Sequence, residues 1–267
     1  MGLPEPSPRG TALVTGASSG IGAALAAELA SRGHALTLVA RREERLRSLA
    51  TELSTEHSVD AEVIACDLAD PAERERLIAE LNQRGRSIEV LVNNAGFGSR
   101  GEFTTSNTER MLRMVRVNIE AVVDLTGRLL PAMAVRGRGA VINVASTAAF
   151  QPLPGSAVYA ASKAFVLSFS ESLRSEVRDR GVSVTALCPG PVRTEFPEVA
   201  GMGDAEGRTP DVFWTSPEEV AREAVDGAAR GKRVVVPGVL NRAGAIAGQH
   251  SPRAVALPLI ERFWKNV

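Results

Sequence analysis

Cysteine, histidine and unbalanced charge are what this 267-residue sequence has little of. Its two cysteines, Cys66 and Cys188, each lie inside an apolar run. That placement suits buried thiols and argues against a disulfide framework or a metal knuckle. The three histidines, His34, His57 and His250, stand far apart with no ligand spacing, so no metal site is expected. Lysine plus arginine equals aspartate plus glutamate at 31 each. No basic field exists to gather nucleic acid, and polyanion binding is not expected. No stretch is apolar for long enough to span a bilayer, and MGLPEPSPRG carries neither an apolar leader core nor a cationic start. A soluble, cytoplasmic protein is the expectation. Internal repeats and low-complexity tracts are also missing.

What is present is alternation. Short apolar runs at 11–15, 35–40, 63–66, 88–92, 140–145, 182–188 and 233–236 read as strands, with helical patterns between them. Seven strands alternating with helices imply an α/β fold with a parallel sheet covered on both faces. Residues 1–10, rich in proline, read as a loose tail, and 11–267 as one domain. Within it, the Gly-, Pro- and Asp-rich stretch at about 191–216 reads as a mobile lid and 238–267 as a variable C-terminal segment.

Ligands of such sheets bind outside the carboxyl ends of the strands, and the polar residues of this chain gather at those points. The turn Gly16-Ala17-Ser18-Ser19-Gly20-Ile21-Gly22 joins a strand to an Ala/Leu-rich helix, the setting of a phosphate-binding loop; the plain alternative is a tight turn. Arg41-Arg42 closes the second strand where an acid would take a ribose 2′-hydroxyl. Two cations before a helix N-terminus oppose its dipole, so either a phosphate neutralises them or they are a solvated pair. Asp67 and Leu68 follow the third strand, Asn93-Asn94-Ala95-Gly96 the fourth, Ser146 the fifth, and Pro189-Gly190 the sixth. Asn118 interrupts an apolar helix, where its propensity is poor, so it is exposed or has a buried task. Tyr159 and Lys163, four apart on the next long helix, share one face. A neighbouring ammonium would pull the phenol below its usual pKa of about 10 toward use as an acid or base; the alternative is a chance pair on a solvated face.

TGASSGIG, NNAG, Ser146, YAASK and PGPVRT, in this order and spacing, resemble the short-chain dehydrogenase/reductase family from residue 11 to about 194. The resemblance implies a Rossmann-like, doubly wound domain that binds NAD(P) and moves a hydride between nicotinamide C4 and a carbonyl or carbinol carbon. It implies Tyr159 as the general acid in reduction and Lys163 as the residue that lowers its pKa and holds the nicotinamide ribose. Ser146 polarises the carbonyl, and Asn118 keeps a relay water. Gly16, Ser18, Ser19, Gly20, Ile21 and Gly22 correspond to the cofactor loop, Asp67 and Leu68 to the adenine contact. Asn93, Ala95 and Gly96 correspond to the cofactor-proximal strand end, and Pro189, Gly190, Val192 and Thr194 to the nicotinamide-side loop. Arg41 stands where NADPH-preferring members carry a basic residue, with Arg42 beside it, so NADP(H) is expected over NAD(H). Ser19 fills the other position where such members sometimes carry one.

More loosely, PGPVRTEFPE, PDVFW, VVVPG and SPRA resemble an actinobacterial branch that includes the reductase of 3-oxo-mycolate esters. Phe196, Val199, Met202, Phe213 and Trp214 would line an apolar pocket for a lipid chain, or merely pack the lid. The C-terminal segment, with Phe263 and Trp264, reads as subunit packing or lid support in preference to a membrane-surface helix. Ala161, Phe165, Phe169 and Leu173 form a stripe on the catalytic helix for core or subunit contact, and the resemblance implies a homodimer or homotetramer. The expected function is NADPH-dependent reduction of a 3-oxoacyl or other lipophilic ketone to a secondary alcohol. The rivals are an NAD(P)+-dependent alcohol or steroid dehydrogenase and a non-catalytic dinucleotide-sensing regulator, which would need the glycine loop but not the phenol.

Overall fold

The computed structural model describes residues 2–201, 210–254 and 257–258. Seven strands form one parallel sheet: β1 (Gly10–Thr15), β2 (Ala35–Ala40), β3 (Ala61–Ala65), β4 (Ser87–Asn93), β5 (Gly139–Val144), β6 (Val182–Leu187) and β7 (Val234–Val235). Their spatial order is β3-β2-β1-β4-β5-β6-β7, so the winding reverses between β1 and β4 and opens a crevice above the carboxyl ends there. The strands carry near-continuous apolar runs because helices cover both faces. Helices α1 (Gly20–Ser31) and α2 (Glu43–His57) cover one face, burying Leu25, Leu29 and Leu46. On the other, α3 (Pro71–Gln83), α5 (Ala121–Arg136) and α6 (Ala157–Val177) bury Leu77, Leu125 and Leu173. Local chemistry starts these elements where the sequence says: the Asp70 carboxylate accepts the amide of Ala72 at 2.9 Å, with Pro71 at the first helical position.

The helical stretch before β5 is not uniform. It runs as α4 (Thr108–Val115), a π-helical turn over Arg116–Glu120, then α5. Such bulges gather at functional sites, and this one presents Asn118 inward. Beyond β6 come the short helix α7 (Phe196–Val199), α8 (Pro217–Ala229) and α9 (Val239–His250). The base of the lid is pinned: Val192 bridges Thr215, and the Arg193 amide donates to the Thr215 carbonyl at 3.2 Å. Met202, Phe263 and Trp264 lie outside the described residues.

The N-terminal tail is a correction to the expectation of looseness. Ser7 donates to the buried Glu89 carboxylate at 2.8 Å, and the Gly2 carbonyl accepts from Ser183 at 3.1 Å. The segment closes the bottom of the sheet, where Ser7 joins Arg138 as a donor to the buried Glu89 carboxylate. Among the described residues no helix is long and apolar enough to cross a membrane, and no cluster of His, Cys, Asp or Glu suits a metal ion.

Candidate active site

A cleft of about 940 Å³ runs along the carboxyl ends of the strands on both sides of the winding reversal. Its floor is the turn from β1 to α1. Gly16 takes φ +66°, in the left-handed region, and a Cβ there would lie 2.8 Å from the Ala95 Cα; one on Gly22 would lie 2.2 Å from the Gly16 carbonyl oxygen. Only glycine permits this close approach of backbone to backbone and to a ligand. Asn94 braces the turn, its Nδ2 donating to the carbonyls of Thr15 at 2.9 Å and Gly16 at 3.2 Å. Thr15 Oγ1 accepts the amides of Asn94 and Ala95 in return. A rigid cradle with glycine where a side chain would clash fits a dinucleotide pyrophosphate at a helix N-terminus.

Sequence reasoning missed Asn94 and chose its neighbour. Asn93, expected near the cofactor, does not line the cleft: it is buried, and its Nδ2 donates to Thr126 Oγ1 at 3.1 Å and Asn143 Oδ1 at 2.8 Å. The reason is strand alternation, which turns successive side chains to opposite faces. Asn143 passes the chain on to Ser170 at 2.9 Å, so Asn93 fastens β4, β5 and the catalytic helix together. Ala95 and Gly96 do line the cleft.

At the adenosine end, Arg41 and Arg42 are both exposed on the wall, but they differ. Arg42 donates through Nε to Ser18 Oγ at 3.1 Å and through Nη2 to Ser19 Oγ at 2.6 Å. Its Nη1 reaches the carboxylate of Glu195 at 2.8 Å, and Arg45 reaches the other oxygen at 2.6 Å. The two guanidinium groups hold the Glu195 carboxyl down to about 2. Asp67 and Leu68 also line this end. Asp67 pairs with Arg113, and the Leu68 carbonyl accepts from the buried Arg74 at 2.8 Å, itself paired with Glu120 and Asp124. Arg45 and Glu195 were not foreseen; the spacing of Arg45, three after Arg42 in the first turn of α2, was a legible signal.

At the catalytic end, Ser146, Tyr159 and Lys163 share the cleft with Pro189, Gly190, Val192 and Thr194. Ser146 lies two residues beyond β5 and caps the turn after it, its Oγ accepting the Ala148 amide at 3.1 Å. Lys163 is 5% exposed and donates to the Val144 carbonyl at 2.8 Å, while its Nζ lies 5.9 Å from the Tyr159 ring centre. Tyr159 is the chain's only tyrosine. Burial pushes its phenol up to about 12, against a smaller opposing pull from a hydrogen bond with Ser146. Burial also brings the Lys163 ammonium down to about 8. The expected lowering of the phenol by the cation is not seen: burial raises the phenol and lowers the ammonium, and Lys163 is not among the groups that shift Tyr159.

Asn118 is buried beside this group, 3.1 Å from where a Gly96 Cβ would stand. Both its amide protons are committed, to the Phe97 carbonyl at 3.1 Å and Ser162 Oγ at 3.0 Å, and its Oδ1 accepts the Phe97 amide at 3.2 Å. The wall above Tyr159 is Phe97, Leu153, Phe196, Val199 and Trp214, with the Phe196 ring 5.7 Å from that of Tyr159. Phe213 is not part of this wall; its carbonyl accepts from Asn241 at 3.2 Å, at the foot of α9. The short turn Asp211–Phe213 brings Trp214 to the cleft and leaves Phe213 outside it.

This geometry matches known proteins. The family described as short chain dehydrogenase matches residues 10–201. Sulfoacetaldehyde reductase 2 of Chromohalobacter salexigens is 40% identical over 194 residues, 72% of this chain and 76% of the relative. Among solved structures, a short-chain dehydrogenase from Sphingobium yanoikuyae in complex with NADPH superposes with a TM-score of 0.80 at 36% identity, covering 89% of this chain and 92% of that one. A 7β-hydroxysteroid dehydrogenase superposes at 0.86 with 26% identity over 98% of this chain and all of that one (100%). A glycine cradle, an NAD(P)-sized cleft and a Ser, Tyr and Lys on its floor agree with this kinship: the chain belongs to the short-chain dehydrogenase/reductase family and is an oxidoreductase acting on carbinol or keto groups.

Proposed function

We propose that the protein is an NADPH-dependent reductase of ketones bearing an apolar arm, a 3-oxoacyl group or a 3-oxo-mycolate-type ester among them. The observation that carries this reading is the phenol of Tyr159 on the cleft floor, with Ser146 and Lys163 beside it, under an apolar wall. Bound NADPH would supply the hydride from nicotinamide C4. Gly16 to Gly22 would hold the pyrophosphate, Asp67 and Leu68 the adenine side, and Pro189, Gly190, Val192 and Thr194 the nicotinamide side.

The chain's own groups do the rest. The Ser146 hydroxyl donates to the substrate carbonyl and orients it. As negative charge builds on that oxygen, the Tyr159 proton moves onto it and the secondary alcohol forms. The phenolate left behind is stabilised by the Lys163 ammonium, which supplies the compensating charge in a dry site. Burial keeps the Tyr159 phenol protonated before substrate arrives, the form that can donate to a carbonyl oxygen. A dinucleotide sensor would have no use for a buried lysine and phenol. Asn118 fixes the π turn beside Lys163; a relay water would have to use its backbone or the free lone pair of Oδ1.

The test is a series of 3-oxo esters of increasing chain length reduced with NADPH. kcat/KM should climb with each added methylene until the wall is covered, by up to about 0.8 kcal/mol per buried methylene. A flat or falling series would contradict the apolar-arm reading.

A further inference from the structure

We propose that Glu195 is a specificity-determining lid residue whose carboxylate occupies the anion site that the 2′-phosphate of NADP(H) takes, so that cofactor phosphate and lid compete for the same donors. The inference rests on the NADP(H) reading above. The site is built from two segments that meet only in the fold: Ser18 and Ser19 of the glycine turn, and Arg42 and Arg45 at the start of α2, just before the helix and in its first turn. Arg42 is held in place by the two hydroxyls at 3.1 and 2.6 Å. Its remaining face and Arg45 then converge, at 2.8 and 2.6 Å, on separate oxygens of one carboxylate. Two guanidinium groups gripping two oxygens of one anion is the geometry that binds a phosphate monoester.

The carboxylate belongs to the segment that carries the substrate wall. Thr194 packs against Gly20, 3.0 Å from where a Cβ there would lie, and its Oγ1 accepts the Phe196 amide at 3.1 Å. The Glu195 carbonyl accepts the Val199 amide at 3.1 Å, and the Phe196 ring lies tilted against that of Tyr159, 5.7 Å between centres. A phosphate seated between Arg42 and Arg45 therefore has to turn Glu195 out, and the backbone next to it carries Phe196 and Val199. The dinucleotide lacking the phosphate leaves the latch closed. Arg41 makes no ion pair with any described residue and does not take part in the latch.

The probes are adenosine 2′,5′-bisphosphate and 5′-AMP, which differ by the 2′-phosphate, titrated calorimetrically into the wild type, Glu195→Gln and Arg45→Ala. Glu195→Gln removes the competitor and should tighten the bisphosphate by about threefold to tenfold, the worth of two exposed ion pairs, with 5′-AMP unchanged. Arg45→Ala should weaken the bisphosphate alone. Amide exchange across residues 192–200 should rise with the bisphosphate and stay level with 5′-AMP. If the wild type prefers the bisphosphate but Glu195→Gln shifts both ligands equally or neither, the latch is wrong and the NADP(H) reading stands. If the wild type shows no preference, both fall.

Discussion

The two ends of the cleft hold cations in opposite ways. At the catalytic end Lys163 is 5% exposed, pairs with no carboxylate among the described residues, and leans on one backbone carbonyl. At the adenosine end Arg42 and Glu195 are 42% and 44% exposed and paired. Water screens the second arrangement, so its ion pairs contribute little to stability and can be exchanged for a ligand. Nothing screens the first, so its charge is costly and is retained for chemistry. One chain thus keeps a buried end for the reacting atoms and a wet, yielding end for choosing the cofactor.

Replacing Lys163 by Met breaks that contrast at its dry end and has the largest expected effect on stability. The Lys163 pKa falls from 10.5 to about 8 on folding, so the unfolded chain binds the extra proton between those values. The penalty is complete below about 8, shrinks as pH rises, and is gone above 10.5. It amounts to on the order of 3 kcal/mol, offset by about 1 kcal/mol for the lost bond to Val144. The variant should therefore melt several degrees higher than the wild type at pH 7, the gap closing and reversing toward pH 10.5 in matched calorimetric scans. A gap that does not depend on pH would mean that Lys163 is not desolvated. At the wet end, Arg42→Ala should weaken NADPH about tenfold and NADH little, because a guanidinium–phosphate pair of this kind contributes about 1.4 kcal/mol or somewhat more. Arg41→Ala should have the smallest effect, near twofold on either dinucleotide by titration. Equal losses from the two arginines would erase the distinction drawn between them.

How much of this was legible in the sequence follows from the range of the forces involved. The strands, the glycine turn, the cap at Asp70 and the pairing of Tyr159 with Lys163 are set by neighbours within a few residues, and periodicity shows them. Asn93 against Asn94 was not legible, because a single step along a strand exchanges the sheet's two faces and the motif does not say which face the ligand takes. The direction of the Tyr159 shift was missed for a related reason: spacing gives proximity to a cation but not the depth of burial. Phe213 and Trp214 are adjacent in sequence, and only the turn at Asp211–Phe213 decides which one meets the cleft. Glu195, 150 residues from Arg45, could be matched to it only by the fold. The N-terminal segment looked loose because its partners, Glu89 and Ser183, lie far along the chain.

The central claim is that the Tyr159 phenol gives its proton to the substrate oxygen, and Tyr159→Phe tests it with one atom removed. Turnover of NADPH with the best 3-oxo ester and the dissociation constant for NADPH should be measured on the same preparation. Turnover should drop by about two to four orders of magnitude, the usual worth of a positioned general acid, with NADPH binding within a factor of two or so. Turnover that survives the loss of the hydroxyl, with the cofactor bound as before, would contradict the mechanism.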